Sequence, residues 1–180
     1  MIPLESTIDT ARLRLQRPTQ EDIPHVFSAT RYPNFNDGMP WEPPVSLDEL
    51  QAPLERSRLA WESGKGYAFT LKRKEDAAFI GRISIRKTDE VDIWNIGFWT
   101  HPSQQKQGYM TEAVAAILDF GFQQLGAIRI EAEYATWNKA SEAVLLRNGL
   151  TFVKFIEQGF QKNDEWVPEN RYAIDRPEHA

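Results

Sequence analysis

Cysteine is absent from this chain of 180 residues, and histidine occurs only three times. The lack of cysteine excludes disulfides, a thiolate nucleophile and cysteine-based metal sites, and so few histidines argue against any metal centre. No apolar run approaches the length of a membrane span, and the first residues lack the apolar core of a signal peptide. We therefore expect a cytoplasmic protein that uses neither a metal nor a membrane.

The chain also has fewer basic than acidic residues. The chain has 21 lysines and arginines against 26 aspartates and glutamates, which gives a net charge of −5. This balance disfavours nucleic-acid binding as the main role. With 41% hydrophobic and 26% charged residues, the composition is that of an ordinary folded domain. We expect one domain over 1–180, with its core over about 10–175 and a short polar tail at 176–180.

Hydrophobic periodicity and turn residues predict a mixed α+β fold. Short turns at 74–76 and 88–90 indicate that three central strands form an antiparallel meander. Pro53 lies inside the second expected helix and predicts that the helix is kinked or split there. In chain order, the expected elements are a strand at 12–16, helices at 20–30 and from 46 to about 63, strands at 67–73, 79–87 and 92–100, a helix at 111–125, a strand at 128–134, a helix at 138–148, and strands at 151–157 and 171–175.

A polar turn at 104–110 joins the strand at 92–100 to the helix expected at 111–125. Where a strand enters a helix through such a turn, the first N–H groups of the helix have no internal partner, and the helix dipole favours an anion there. Gly108 has no Cβ, so an anion can approach the backbone closely. The turn therefore predicts a phosphorylated cofactor.

Four pieces of sequence carry a family resemblance. They are Ile96-Gly97-Phe98-Trp99 followed by His101-Pro102, the turn at 105–113, the segment 138–150 that begins Asn138-Lys139-Ala140-Ser141, and the loop at 41–44. In this order and spacing they resemble the GNAT superfamily of N-acetyltransferases, and within it the RimJ/RimL-type branch. The resemblance covers about 10–174.

The resemblance implies a mixed, mostly antiparallel sheet flanked by helices, with the fourth and fifth strands splayed apart. It also implies acetyl-CoA as co-substrate, with the pantetheine arm in the gap between those strands and the acetyl group passed directly to an amine. The implied cofactor-binding residues are Phe98, Trp99, Thr100, Gln105, Lys106, Gln107, Gly108, Tyr109, Met110, Thr111, Asn138 and Ser141.

Catalytic roles follow from the same resemblance. The N–H of Phe98 would polarise the thioester carbonyl, and Ser141 would protonate the leaving thiolate. A base is also needed, because the amine must lose a proton. Alternation along the strand at 128–134 places Glu131 and Glu133 on one face, where either carboxylate is a candidate base or merely part of a solvated strand surface.

The sequence says less about the acetyl acceptor than about the cofactor. Trp41, Glu42 and Trp137 lie in or beside loops and are candidates for a pocket that binds a cationic amine, although such aromatics also serve to cover a core. The resemblance favours a protein N-terminal amine, as in ribosomal-protein acetylation. Two alternatives stay open: detoxification of a small amine (an antibiotic, a polyamine or an aminoacyl compound), and a non-catalytic acyl-CoA sensor, because Lys106 and Met110 stand where the family usually has small residues. A homodimer is also compatible with the resemblance.

Overall fold

An eight-stranded sheet and four helices make up residues 2–178, which the computed structural model describes. The helices are α1 (Ile23–Ala29), α2 (Gln51–Glu62), α3 (Tyr109–Gln123) and α4 (Lys139–Arg147). The strands are β1 (Thr7–Asp9), β2 (Leu13–Gln16), β3 (Gly66–Arg73), β4 (Phe79–Lys87), β5 (Ile93–Thr100), β6 (Arg129–Ala135), β7 (Thr151–Lys162) and β8 (Glu165–Asp175).

The sheet has the order β1-β2-β3-β4-β5-β6-β8-β7, and only the β5–β6 pair within it is parallel. That pair is also short: it runs from Ile93 opposite Arg129 to Ile96 opposite Ala132. Beyond this point the two strands continue without pairing to each other. The expected α+β fold, with a mostly antiparallel sheet splayed between the fourth and fifth strands of the predicted order, is therefore confirmed.

The helices divide between the two faces of the sheet. On one face, the fully buried ring of Trp61 in α2 packs 5.0 Å from that of Phe69, and Phe120 of α3 lies 5.6 Å from the same ring. The next residue, Thr70, points to the opposite face and donates a hydrogen bond to Asp22, just before α1. His25 of α1 stacks on Phe79 of β4 with ring centres 5.2 Å apart, so α1 lies at the β4 side of this face. Residues of β5, β6 and β8 line an open cleft on the same face.

Several helix boundaries differ from expectation, most of all the start of α2. α2 begins at Gln51, after a short 3-10 helix at Leu47–Leu50, so the expected helix from 46 is split in two as predicted, just before Pro53. Pro53 lies in the first turn of α2, where the missing N–H breaks no helical bond, and the helix then runs unbroken to Glu62. α3 begins at Tyr109, two residues earlier than expected, because Gly108 in the left-handed conformation serves as its N-cap.

One strand near the start of the chain was missed in the sequence analysis, and the last two strands were predicted too short. The short strand β1 pairs with β2 and was not predicted. β7 and β8 form a hairpin longer than expected, and a register shift between Ile156 and Phe160 lets β7 continue past Gly159. In residues 2–178, no helix is long and apolar enough to cross a membrane. The last two residues of the expected polar tail lie outside the described part of the chain.

Candidate active site

The turn before α3 is built from two residues in the left-handed conformation, Lys106 (φ 63°) and Gly108 (φ 77°). Among the described residues, no protein acceptor receives the backbone N–H groups from Gln107 to Thr111. Met110 does not crowd the turn, because its side chain is only 5% exposed and belongs to the core. Five consecutive free donors at a helix N-terminus make a binding site for an anion.

Arg12 on the neighbouring edge of the sheet holds this turn. Its Nη1 donates to the carbonyl oxygen of Gln107 at 2.9 Å, its Nε pairs with Glu112 at 2.7 Å, and its guanidinium lies 4.5 Å from the centre of the Tyr109 ring. In a trans peptide the C=O and the following N–H point in opposite directions. By fixing the carbonyl of Gln107, Arg12 therefore also fixes the direction of the N–H of Gly108.

Glu112 holds the guanidinium of Arg12 in place, and the Glu112 carboxyl group is ionised at neutral pH. Burial raises its pKa, but hydrogen bonds from the Thr10 hydroxyl at 2.6 Å, the Arg12 backbone N–H at 2.8 Å and the Arg12 guanidinium outweigh that effect. The net result is a lowered pKa. The contact between strand and turn is thus a charged one at neutral pH.

A cleft of about 400 Å³ runs from this turn toward the gap between β5 and β6. Five of the seven predicted turn residues line it, while Gln107 and Tyr109 do not; Tyr109 is buried beneath Arg12. Arg147 of α4 also lines it, and neither Arg147 nor Lys106 forms an ion pair within residues 2–178. We call this space the cofactor cleft. The prediction missed Arg147, whose position in the last turn of α4 carries no motif.

The gap between the splayed strands is lined by the residues that the family resemblance had singled out. Phe98, Trp99 and Thr100 line it from β5, and Asn138 and Ser141 line it from the start of α4. Asn138 caps α4 by accepting a hydrogen bond from the N–H of Ser141 at 3.1 Å. The Ser141 hydroxyl forms no hydrogen bond with the rest of the described chain, so it is free to bond to a bound molecule.

A second cleft of about 460 Å³ lies on the open face of the sheet, and we call it the acceptor cleft. It shares Phe98, Trp99, Asn138 and Ser141 with the cofactor cleft. A molecule in one cleft therefore meets a molecule in the other at these residues.

The three expected acceptor-binding residues are placed differently from one another. Trp41 lines the acceptor cleft, whereas Trp137 lines the cofactor cleft. Glu42 lines neither cleft, because its carboxylate pairs with Lys162 at 3.5 Å.

Glu131 and Glu133 do not form a solvated strand surface. Glu131 is only 6% exposed, and its two oxygens pair with Arg129 at 3.1 Å and with Arg171 at 3.0 Å. Glu133 lies 2.6 Å from the Nε of Arg171, in a contact that is not aligned as a hydrogen bond, and accepts from Asn95 at 2.5 Å. Glu133 lines the acceptor cleft, while Glu131 lines only the adjacent groove. Both carboxylates are therefore paired with arginines of the protein.

Glu169 on β8 is a third carboxylate at the acceptor cleft, and the sequence analysis did not find it. It has no hydrogen bond or ion pair to other described residues. Burial raises its pKa, and Glu133 adds to the increase, against smaller opposing effects of Arg171 and Arg86. Gly159 makes room for it, because a Cβ at that position would lie 2.7 Å from a Glu169 carboxylate oxygen. No motif marks Glu169, since only the β7–β8 hairpin brings it to the cleft.

Comparison with known proteins agrees with this geometry. The family model described as an acetyltransferase (GNAT) domain matches residues 12–151. The chain is 25% identical to the uncharacterized N-acetyltransferase YoaA of Bacillus subtilis, over 94% of this chain and 97% of that protein. It is 28% identical to the ribosomal-protein-serine acetyltransferase of Escherichia coli, over 61% and 62% of the two chains. The solved structure of Mycobacterium smegmatis RimJ in complex with CoA-disulfide superimposes with a TM-score of 0.81 at 22% identity, over 95% of this chain and 88% of that one.

Proposed function

The chain belongs to the GNAT family of acetyltransferases, and from that premise we propose that it transfers the acetyl group of acetyl-CoA to a primary amine held in the acceptor cleft. Family membership also confirms the expected co-substrate and the expected enzyme class. The observation that carries the proposal is that the cofactor cleft and the acceptor cleft meet at Phe98, Trp99, Asn138 and Ser141.

Each part of the cofactor has a matching part of the site in this proposal. The pyrophosphate binds the free N–H groups of the turn, with Lys106 and Arg147 supplying positive charge. The pantetheine arm follows β5 beyond Ile96, where the strand edge facing β6 has no strand partner. The thioester then lies beside Phe98, whose N–H stabilises the developing oxyanion.

In the proposed reaction, one side chain donates a proton and another accepts one. Ser141, whose hydroxyl has no protein partner, donates a proton to the leaving CoA thiolate. Glu169, directly or through a water, takes the proton that the acceptor ammonium must lose before its nitrogen attacks. Glu169 suits this role better than Glu131 or Glu133, because its carboxylate is not paired with an arginine.

The finer proposal is that the acceptor is the N-terminal amine of a protein in the cytoplasm. It is supported by the E. coli relative, which is named as a ribosomal-protein-serine acetyltransferase. It is also supported by the shape of the acceptor side: the cleft continues into a groove of about 520 Å³ that shares Arg86, Asn95, Glu133, Gly159 and Glu169 with it. An extended chain would use that groove, whereas a compact amine would leave it empty.

The test is release of free CoA from acetyl-CoA in the presence of an amine panel that contains short peptides, polyamines and amine-bearing antibiotics. We expect release with peptides. Release with the small amines alone would favour detoxification. CoA binding without release on any amine would favour an acyl-CoA sensor and contradict the proposal.

Ser141→Ala provides the internal check. We expect turnover to fall at least about tenfold with little change in acetyl-CoA binding, because only proton donation in the transition state is lost. Ser46→Ala, which removes the hydroxyl of an exposed serine that lines neither cleft, is the matched control. Unchanged turnover in Ser141→Ala would remove this serine from the mechanism.

A further inference from the structure

Two arginines of β4 face the acceptor cleft, and they differ in whether other residues of the protein bind them. Arg82 and Arg86 lie on the same face of the strand, four residues apart, and both line the cleft. Arg86 belongs to a network: it donates to Asn95 at 3.0 Å, and Asn95 donates in turn to Glu133. Its charge is therefore tied to a carboxylate of the protein.

Arg82 has no such partner. Its Nε is buried without a hydrogen bond, and no carboxylate of residues 2–178 lies within 4.0 Å of its guanidinium. Burial lowers the pKa of Arg82, and the more distant charge of Asp22 only partly opposes this effect. A guanidinium stays charged even so, because its pKa is far above neutrality. The fold thus holds an uncompensated cation at the wall of the acceptor cleft.

Asp22 is the carboxylate whose negative charge acts on Arg82, but its own close contacts are with other groups. One carboxylate oxygen accepts from the Thr70 hydroxyl at 2.7 Å and from the Thr19 N–H at 2.9 Å. The other accepts no hydrogen bond but lies 3.6 Å from the ammonium of Lys72, an ion-pair distance that Arg82 does not reach. Asp22 therefore faces Thr70 and Lys72, and the donors of Arg82 are left for a molecule that enters the cleft.

We propose that Arg82 binds a carboxylate of the acetyl acceptor, so that the acceptor is an amine that carries a carboxylate close to its amino group. The proposal rests on the proposed function, since it places the acceptor in the same cleft. Arg82 pairs with Trp99 across β4 and β5, directly beside Phe98. A carboxylate bound there lies near the position proposed for the thioester, within reach of the first one or two residues of a peptide or of a free amino acid.

Matched acceptors separate the two sources of the carboxylate. One pair is the tripeptide amides Ser-Glu-Ala and Ser-Gln-Ala, which differ in an acidic side chain; the other is serine and serinamide, which differ in the α-carboxylate. Calorimetric titration into the CoA-loaded protein measures binding, and CoA release from acetyl-CoA measures turnover. In at least one pair, we expect the carboxylate member to bind about tenfold more tightly or more, as a charge-assisted hydrogen bond would give.

Three variants test whether the preference for the carboxylate-bearing acceptor comes from Arg82. Arg82→Gln should abolish it, Arg82→Lys should keep part of it, and Arg14→Gln, which removes an arginine paired with Asp9 at the far edge of the sheet, should leave it intact. CoA binding should be unchanged in all three. Equal binding of both members of both pairs, including no binding of either, would overturn the proposal, as would a preference that survives in Arg82→Gln. Carboxylate-dependent binding without acetyl transfer would support this inference while contradicting the proposed function.

Thermal unfolding distinguishes a binding role from a structural one. Arg82→Met should unfold at a temperature equal to or above that of the wild type, because the fold no longer has to hold an uncompensated guanidinium. A lower unfolding temperature together with a lost preference would show that Arg82 supports the fold, and it would overturn the proposal.

Discussion

The cofactor cleft and the acceptor cleft are built from different kinds of group. At the turn before α3, the binding groups are backbone N–H donors, and side chains such as Arg12 only hold the backbone in place. On the acceptor face, side chains from β4, β5, β6 and β8 make the site, and most are tied to one another. Backbone changes should therefore affect the cofactor end, whereas single side-chain changes should affect chemistry or stability at the acceptor end.

The largest expected effect is on turnover at the acceptor side. Glu169→Gln should lower turnover by about 10²-fold or more, because a general base contributes that much to proton transfer, while CoA binding stays the same. In the wild type the rate should rise as pH rises through the pKa of Glu169, since the carboxylate must be ionised to accept a proton. Because that pKa is raised, this rise lies at higher pH than for an ordinary glutamate, and Glu169→Gln should lose it.

Steady-state rates across the pH range, with CoA affinity measured in parallel, check this prediction. Glu165→Gln, at the exposed tip of the same hairpin, is the control for a general effect of lost negative charge. A pH profile that is the same in Glu169→Gln and in wild type would assign the base elsewhere.

The next effect is on stability. Arg171→Met removes the cation shared by Glu131 and Glu133 and leaves two largely buried carboxylates without it. We expect the free energy of unfolding to fall by about 3 kcal/mol, as when one partner of a buried ion pair is lost. Urea unfolding monitored by circular dichroism measures this change. Arg14→Met, which breaks an exposed pair, should leave the midpoint unchanged, and an equal loss in both variants would refute the distinction between the two pairs.

At the cofactor end, Gly108→Ala should weaken CoA binding with only a small effect on the fold. Gly108 has φ 77°, and a Cβ there would lie 3.4 Å from the Arg12 guanidinium. An L-residue in this conformation costs roughly 1–2 kcal/mol, a 5- to 30-fold loss of affinity if the turn relaxes away from its binding geometry. Calorimetry with CoA provides the measurement. Unchanged affinity would mean that the turn does not need this conformation.

The smallest effect should come from Arg12→Gln, which leaves every donor of the turn in place but no longer fixes the carbonyl of Gln107. We expect CoA affinity to fall about fivefold, through the lost charge-assisted hydrogen bond. Affinity for pantetheine, which lacks the pyrophosphate, should not change. Arg14→Gln, two residues further along in β2, is the matched control. An equal loss for CoA and pantetheine would place the role of Arg12 outside the pyrophosphate site.

The contrast between the clefts also explains what the sequence could predict. The free donors at Gly108 and the cap at Asn138 depend on neighbours within a few residues, so a local pattern finds them. Glu169 and Arg82 meet at the acceptor cleft only because β8 and β4 are placed there by the sheet order, which local patterns do not encode. The same reason explains why Glu131 seemed a surface residue: its burial depends on arginines in two strands.

The contact between Arg12 and Glu112 joins residues 100 apart in the chain, and this has a consequence for folding. The turn gains the support of Arg12 only after the β1–β2 hairpin has docked beside α3, although that hairpin is synthesised before α3. Closing so long a loop is costly in chain entropy and belongs to a late stage of folding. Full affinity for CoA should therefore require the docked β1–β2 hairpin, and bound CoA should slow the detachment of β1 and β2 when the protein unfolds.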